Sequence, residues 1–323
     1  MLTYLLRRFL QLLPTLFGIS LLSFFLMQLA PGGPIDQMAD LNPRVTPEVK
    51  ARIRHDMGLD RPIGIQYLSW VKHIATLDFG ISYNDRRPVA RKILERLPAT
   101  LLLNILAIGF VLLFAIPIGF LSAIYAHSLF DKAMAVFVFI GFSLPGYALA
   151  LGLMILFGLK LGWLPVSGLS TIYFAPVPSY VRVWDVARHL ILPTLVLGLT
   201  DLAGLSRYMR NSMLEVIHQD YIRAARAKGL SWWRTYGVHA TRNSLIPIIT
   251  LFGLMLPDLI GGGVIIETIF AYPGMGRLGY EAIMTRDYNL IMAITIFSAA
   301  LTVLGNFMAD ILYAYADPRI RYQ

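Results

Sequence analysis

Few residues of this chain are spaced for catalysis. Its six histidines, His55, His73, His127, His189, His218 and His239, are scattered and never lie four apart, so no helix face offers two imidazoles to one metal ion. Cysteine is absent, which removes thiolate ligands, cysteine nucleophiles and disulfides. The chain has no H-E-x-x-H, no G-x-S-x-G and no phosphate-binding G-x-x-x-x-G-K-S/T, so it is not expected to bind ATP through a P-loop. One glycine pattern does match a ligand motif: Gly274, Gly276 and Gly279 fit G-x-G-x-x-G. The dinucleotide fingerprint needs a strand before it, an amphipathic helix after it and an acid about 20 residues on. Here a long apolar run precedes it and an uncharged run, 288–309, covers the place where the acid should be. These glycines are expected instead to let a loop turn tightly.

The informative polar segment is 207–243, which carries seven Lys or Arg against Glu215 and Asp220. Asp220 can cap a helix, because its carboxylate meets free backbone N–H groups. The alanine-rich stretch Tyr221 to Lys228 favours helix. Arg226 and Lys228 fall in its last turn, where cations suit the helix dipole. Gly229 then supplies a left-handed residue just past the end. Ser231 can cap a following short helix that opens with Trp232 and Trp233. Leu214, Ile217, Tyr221 and Ala225 share one helical face. Ordering such a segment costs about 1–2 kcal/mol per residue in backbone entropy, so a fold here implies a partner surface. Adsorption of a basic loop on anionic lipid is the plainer alternative.

The elements that position these residues are membrane helices. Apolar residues are 57% and charged residues 15% of the 323, against roughly 45–50% and about 25% in soluble domains. Runs of 27, 34, 27 and 22 residues without Asp, Glu, Lys or Arg follow Arg8, Arg96, Lys132 and Asp287. A bilayer core takes about 20 helical residues. A soluble enzyme, a disordered chain and a barrel of short alternating strands are excluded. Six spans are expected, at Phe9–Leu29, 99–126, 133–158, 189–206, 245–267 and 289–313. The first is read as an uncleaved span (1–30), since its apolar run exceeds the roughly 7–15 residues of a signal peptide. Segment 127–132 is a tight turn between antiparallel helices.

An even number of spans puts both termini on one side. The termini, the 127–132 turn and the 207–243 loop together carry twelve Lys or Arg, and the short loops opposite carry five. The positive-inside rule then makes the termini and the 207–243 loop cytoplasmic, which also accounts for the net charge of +9 without invoking nucleic acid. Residues 31–98 form an extracytoplasmic segment ahead of a five-helix core over 99–323. Within them, 46–58 reads as a short helix with Thr46 at the N-cap, Pro47 first and Gly58 at the end. Residues 66–80 read as an amphipathic helix whose Tyr67, Trp70 and Phe79 suit a membrane interface.

Two acids interrupt the spans, Asp201 and Asp258. An ionised Asp at the bilayer centre costs roughly 2.5–3.5 kcal/mol, so Asp258 should face water or a partner helix. Gly261, Gly262 and Gly263 follow it and allow another backbone or a passing substrate to come close. A path-lining acid would attract a peptide amine or another cation. A hydrogen-bonded aspartate at a subunit interface is the structural alternative.

At 207–247 the chain resembles the membrane subunits of ABC importers, in the dipeptide/oligopeptide/nickel branch. Ala224, Ala225 and Gly229 match the E-A-A-x-x-x-G signature of the coupling helix, with Arg223 in place of the glutamate. The R-x-A-R-A-K-G form and the later Arg242-Asn243-Ser244-Leu245-Ile246-Pro247 are similar to the peptide branch. So are MGLDRPI (57–63), QYLSWV (66–71), ERLPATL (95–101), ETIFAYPGMGRLG (267–279), RDY (286–288) and DPRI (317–320). Gly33 stands where that branch often has an acid.

The resemblance implies an all-α, type I importer fold in a bacterial cytoplasmic (inner) membrane. It implies a second permease subunit, read as a paralogue, two cytoplasmic ATPases that bind ATP and Mg, and an extracytoplasmic substrate-binding protein. It assigns ATPase coupling to Asp220, Tyr221, Arg223, Ala224, Ala225, Arg226, Lys228 and Gly229. No cofactor is expected in this chain itself. The reading is a non-enzymatic permease subunit that carries di- or oligopeptides. The alternative is an ion-gradient-driven transporter of a small polar solute, which predicts broken helices and paired intramembrane charges. A membrane-embedded enzyme comes third, for want of clustered acids, bases or metal ligands.

Overall fold

The computed structural model describes residues 2–29, 46–56, 60–173, 176–255, 259 and 262–316. Among them the chain is helical, with one isolated antiparallel bridge between Ile81 and Pro88. The helices are α1 (Leu2–Leu29), α2 (Pro47–Asp56), α3 (Ile63–Ala75), α4 (Val89–Ile124), α5 (Leu129–Ser143) and α6 (Gly146–Leu153). There follow α7 (Ser179–Ile217), α8 (Asp220–Ala227), α9 (Thr241–Met255), α10 (Val264–Ile269), α11 (Met275–Met284) and α12 (Tyr288–Ala316). Wide i→i+5 turns occupy Met154–Lys160 after α6 and Trp233–Ala240 before α9.

Four of these helices, α1, α4, α7 and α12, are long and apolar enough to cross a bilayer. A bent pair, α5 with α6 and its wide turn, makes a fifth if counted as one span. The expected unbroken span 133–158 is therefore corrected: the helix stops at Ser143 and turns by 101° into α6. The reason is local. Leu144 takes extended backbone (φ −83°, ψ 125°), the conformation a following proline imposes, and Pro145 is the N-cap residue ahead of the new helix at Gly146.

The expected fourth span 189–206 lies inside a longer helix. Helix α7 is 39 residues long, roughly 58 Å at 1.5 Å per residue, about twice the hydrocarbon thickness. Its ends run well past the uncharged window because charged side chains are no obstacle to a helix outside the lipid. The fifth span, 245–267, is not one helix: the backbone is non-helical at Gly262 (φ +68°) and Gly263 (ψ 81°), and α10 is a separate short helix.

The main seam lies between α4 and α7. Ala107, Val111, Ala115 and Gly119 of α4 face Gly198, Leu202, Ser206 and Met209 of α7, all buried. A Cβ on Gly119 would stand 2.5 Å from the Cβ of Met209, so the backbones are as close as glycine permits. Membrane helices gain little from hydrophobic burial against each other, and small residues that allow close van der Waals contact take its place. Helix α1 packs on α12 and leaves Leu10, Leu13, Leu22, Leu26 and Leu29 exposed.

Segment 76–92 is stitched to the start of α12. Buried Asp287 accepts from the Ser82 hydroxyl, from the Tyr83 N–H at 3.2 Å and from the Leu290 N–H at 3.3 Å, which caps α12. Phe79, expected at the membrane interface, instead packs into the cluster of Val89, Ile93, Met275 and Leu278. The chain leaves α3 at Ala75, and Leu77 with φ +57° redirects it inward. Helix α2 begins at Pro47, and the Val49 N–H lies 3.4 Å from the Thr46 hydroxyl, as expected of a capped start. Gly58 lies outside the described residues.

Candidate functional site

The segment after α7 folds as a separate small unit. Helix α7 ends at Ile217, and Gln219 turns the chain with extended backbone (φ −71°, ψ 149°) into α8. The expected cap by Asp220 is corrected. Gln219 is the N-cap residue and makes no side-chain cap bond, while Asp220 is the first helical residue, 3.5 Å from Arg223. A carboxylate in the first turn still suits the helix dipole. The shared face of Leu214, Ile217, Tyr221 and Ala225 is likewise broken by the turn at His218–Gln219. Ile222 is the buried residue of α8 and packs with Ala123, Met213 and Ala240.

The end of α8 is as expected. Gly229 has φ +77°. Its N–H donates to the Arg226 carbonyl at 2.9 Å, and the Leu230 N–H donates to the Ala225 carbonyl at 3.3 Å. This is a Schellman motif, in which the left-handed residue returns two N–H groups to the last helical carbonyls. Ser231 accepts from the Arg234 N–H at 3.4 Å.

Trp232 packs edge-on to Phe120 of α4 and against Tyr236, and Asn243 donates to the Tyr221 hydroxyl at 2.8 Å. One face of α8 is thus pinned to α4, α7 and the turn before α9. Asp220, Tyr221, Arg223, Ala224, Arg226, Lys228 and Gly229 are all exposed, and Ala225 is half-buried. The nearby Trp233 is 64% exposed.

A partly buried ion pair holds the same end of the molecule. Arg210, near the end of α7, donates Nε to Asp131 Oδ1 at 2.7 Å and Nη2 to Oδ2 at 2.8 Å. Asp131 also accepts from the His127 N–H at 2.9 Å, and its own N–H donates to Ser128. The two-pronged contact ties the 127–132 turn to α7 in one geometry. The Arg210 hydrogen bonds hold the Asp131 carboxyl below its ordinary pKa. The sequence names both residues but not their pairing, which joins positions 79 apart.

At the other end of α4, Glu267 is fully buried. Its carboxyl accepts from the Arg277 N–H at 2.9 Å, from the Gly276 N–H and from the Thr100 hydroxyl at 3.0 Å. Thr100 in turn accepts from the Met275 N–H at 2.7 Å. The first N–H groups of α11 are thereby satisfied by side chains from α10 and α4. An internal carboxyl thus occupies the helix start at which a dinucleotide fingerprint would hold a phosphate.

The expected role of the glycines is corrected as well. Gly274 has ordinary extended backbone (φ −102°). A Cβ there would meet the Glu267 carboxyl at 2.4 Å, and one on Gly276 would meet the Val264 backbone at 2.8 Å. Close approach, not turning, selects glycine. Tyr272 closes the arrangement by donating to the Ala99 carbonyl at 2.7 Å.

Of the residues expected along a substrate path, Asp258 and Gly261 lie outside the described residues. Gly262 (φ +68°) and Gly263 are half-buried. Another backbone does approach Gly262, since a Cβ there would stand 2.6 Å from the Gly276 nitrogen.

Comparison with known proteins places this geometry. Residues 115–322 match the family described as binding-protein-dependent transport system inner membrane component, and residues 1–104 match its N-terminal counterpart. The chain is 43% identical to the oligopeptide transport system permease protein AppB of Bacillus subtilis, over all of both chains. It is 41% identical to the di/tripeptide transport system permease protein DppB of Pseudomonas aeruginosa, again over all of both. It is 36% identical to the dipeptide transport system permease protein DppB of Escherichia coli, with the same full coverage. A solved structure of the MetNI methionine ABC transporter in an inward-facing conformation shares the fold, with TM-score 0.54 and 17% identity over 70% of this chain and 96% of that one.

Proposed function

The chain belongs to the inner-membrane components of binding-protein-dependent transport systems, and from that premise we propose that it is the membrane-spanning subunit of an ATP-driven peptide importer. The observation that carries the coupling role is the α8 unit. It is a short helix fixed on one side by Ile222 and bounded by Gly229, with its basic and small residues exposed. That is the form of a docking element, and its exposed Tyr221, Arg223, Ala224, Arg226 and Lys228 are assigned to contact with a cytoplasmic ATPase. Permease subunits of this family are non-catalytic, and two partner ATPases supply the hydrolysis of Mg-ATP. A paralogous permease completes the pathway, and a substrate-binding protein delivers peptides from outside.

The same reading gives six spans with both termini and α8 cytoplasmic and residues 31–98 outside, on the asymmetry of basic residues. The bent α5–α6 pair supplies a span beyond the four continuous ones, and the sixth is assigned to the region that α9 begins. Asp258 and the glycines after it are assigned to the path. The break at Pro145 and the acids Asp201 and Asp258 within the expected spans are what favour an ion-gradient transporter. A separately folded α8 unit has no use in that mechanism.

The test is capture of the tagged full chain in mild detergent. An ATPase of the ABC type and a second permease should be retained in fixed proportion. Loss of the ATPase with the Arg226→Glu and Lys228→Glu pair places it on α8. Capture of the chain with neither partner contradicts the reading.

A further inference from the structure

No residue of helix α3 is fully buried in the protein. Ordering its thirteen residues costs about 1–2 kcal/mol each in backbone entropy, and its few contacts with α1 offset little of that. Those contacts lie on one edge. Tyr67 packs on Phe17 and Phe24, Trp70 packs on Phe24, and the Tyr67 hydroxyl lies 2.8 Å from that of Ser20. Gln28 donates to Gln66 at 3.0 Å.

At about 100° per residue, Trp70, Ile74, Tyr67, Val71, Ala75 and Leu68 form one apolar stripe roughly 160° wide. The α1 contact covers the Trp70–Tyr67 edge. The far edge is open, with Leu68 68% exposed. Ser69, Lys72 and His73 fall on the opposite side. Helix α3 therefore carries an exposed apolar edge beside its contact with α1.

We propose that α3 is an interfacial lipid-binding helix, lying across the outer end of α1 with Leu68 and Ala75 in the acyl-chain boundary and Ser69 and Lys72 toward the phosphates. This rests on the reading of α1 as a span with residues 31–98 outside. The contacts of α3 with α1 run from Phe17 to Gln28, about 2–18 Å along the axis from Leu29 at 1.5 Å per residue, a range that includes the about 5–10 Å at which interfacial helices sit. Tyr67 and Trp70 have the amphipathic rings that favour this level, and Lys72 is a cation within reach of anionic headgroups.

The absence of cysteine makes a single label specific. Nitroxide is placed on Leu68→Cys, Ala75→Cys, Ser69→Cys and, as a control, Leu22→Cys of α1, in the whole transporter reconstituted in phosphatidylethanolamine–phosphatidylglycerol vesicles. The ratio of collisions with oxygen to collisions with a water-soluble nickel chelate should be several-fold higher at Leu68→Cys and Ala75→Cys than at Ser69→Cys, and close to that at Leu22→Cys. Nickel access at Leu68→Cys and Ala75→Cys equal to that at Ser69→Cys, with Leu22→Cys still in lipid, overturns the proposal alone. Immobile labels reached by neither reagent assign the face to a partner subunit and also overturn it. Nickel access at Leu22→Cys itself would instead overturn the reading of α1 as a span.

Discussion

Two residue positions carry most of the local argument. Gly229 closes α8 with φ +77°, and a β-branched residue there costs roughly 1–2 kcal/mol. Nothing crowds its Cβ position, so the penalty is conformational and confined to the helix end. Gly229→Val should leave the protein in the membrane and lower both ATPase retention and peptide uptake severalfold. Normal uptake with normal ATPase binding would remove α8 from the coupling role.

Glu267 is the second position. Glu267→Gln swaps an acceptor for a donor against the Gly276 and Arg277 N–H groups, and should lower stability by about 1–3 kcal/mol. Gly274→Ala forces a methyl against the same carboxyl and should cost a similar amount, about 1–3 kcal/mol. Thermal unfolding in detergent checks both, and an unchanged midpoint in both would show that the cap is dispensable. The glycines and Glu267 were visible in ETIFAYPGMGRLG, but their roles were not. A buried carboxyl reaching a helix end needs Thr100 from α4, 167 positions away, and no local pattern reports that.

At the scale of elements, the Asp131–Arg210 pair couples the start of α5 to the end of α7. Asp131→Asn should weaken it, and a double-mutant cycle with Arg210→Gln should give a coupling of about 0.5–3 kcal/mol. Because the folded carboxyl has a lowered pKa, its contribution is fully present above the unfolded value of about 3.9. It is lost as pH falls through the folded value. The stability difference between wild type and Asp131→Asn should therefore be constant from neutral pH to about 5 and shrink below about 4. A difference that grows on acidification would contradict the ion pair.

The sequence located α8 and its glycine stop because cap chemistry is local. It missed the break at His218–Gln219, since Leu214, Ile217, Tyr221 and Ala225 keep helical spacing straight through it. It also missed Ile222 as the anchor. The break at Leu144–Pro145 was legible in principle: the residue before a proline is driven away from helical backbone, and the uncharged run hid it.

For the whole molecule, charge-free runs located α1, α4 and α12 well, because lipid excludes charge. They also located α7, whose helix continues past the uncharged window where the lipid ends. The six-span arrangement predicts opposite signals from two reporters: one fused after Gln323 active only in the cytoplasm, and one at 40–45 active only when exported. Matching signals would refute it.

The most direct test of the central claim is uptake by proteoliposomes containing this chain, its partner permease and the ATPases. A labelled tripeptide and its binding protein are supplied on the binding-protein side, and ATP on the side of α8. The account predicts accumulation that requires ATP and the binding protein, is abolished by a non-hydrolysable ATP analogue and persists when ionophores collapse all ion gradients. Uptake without ATP that follows an imposed proton or sodium gradient would contradict it.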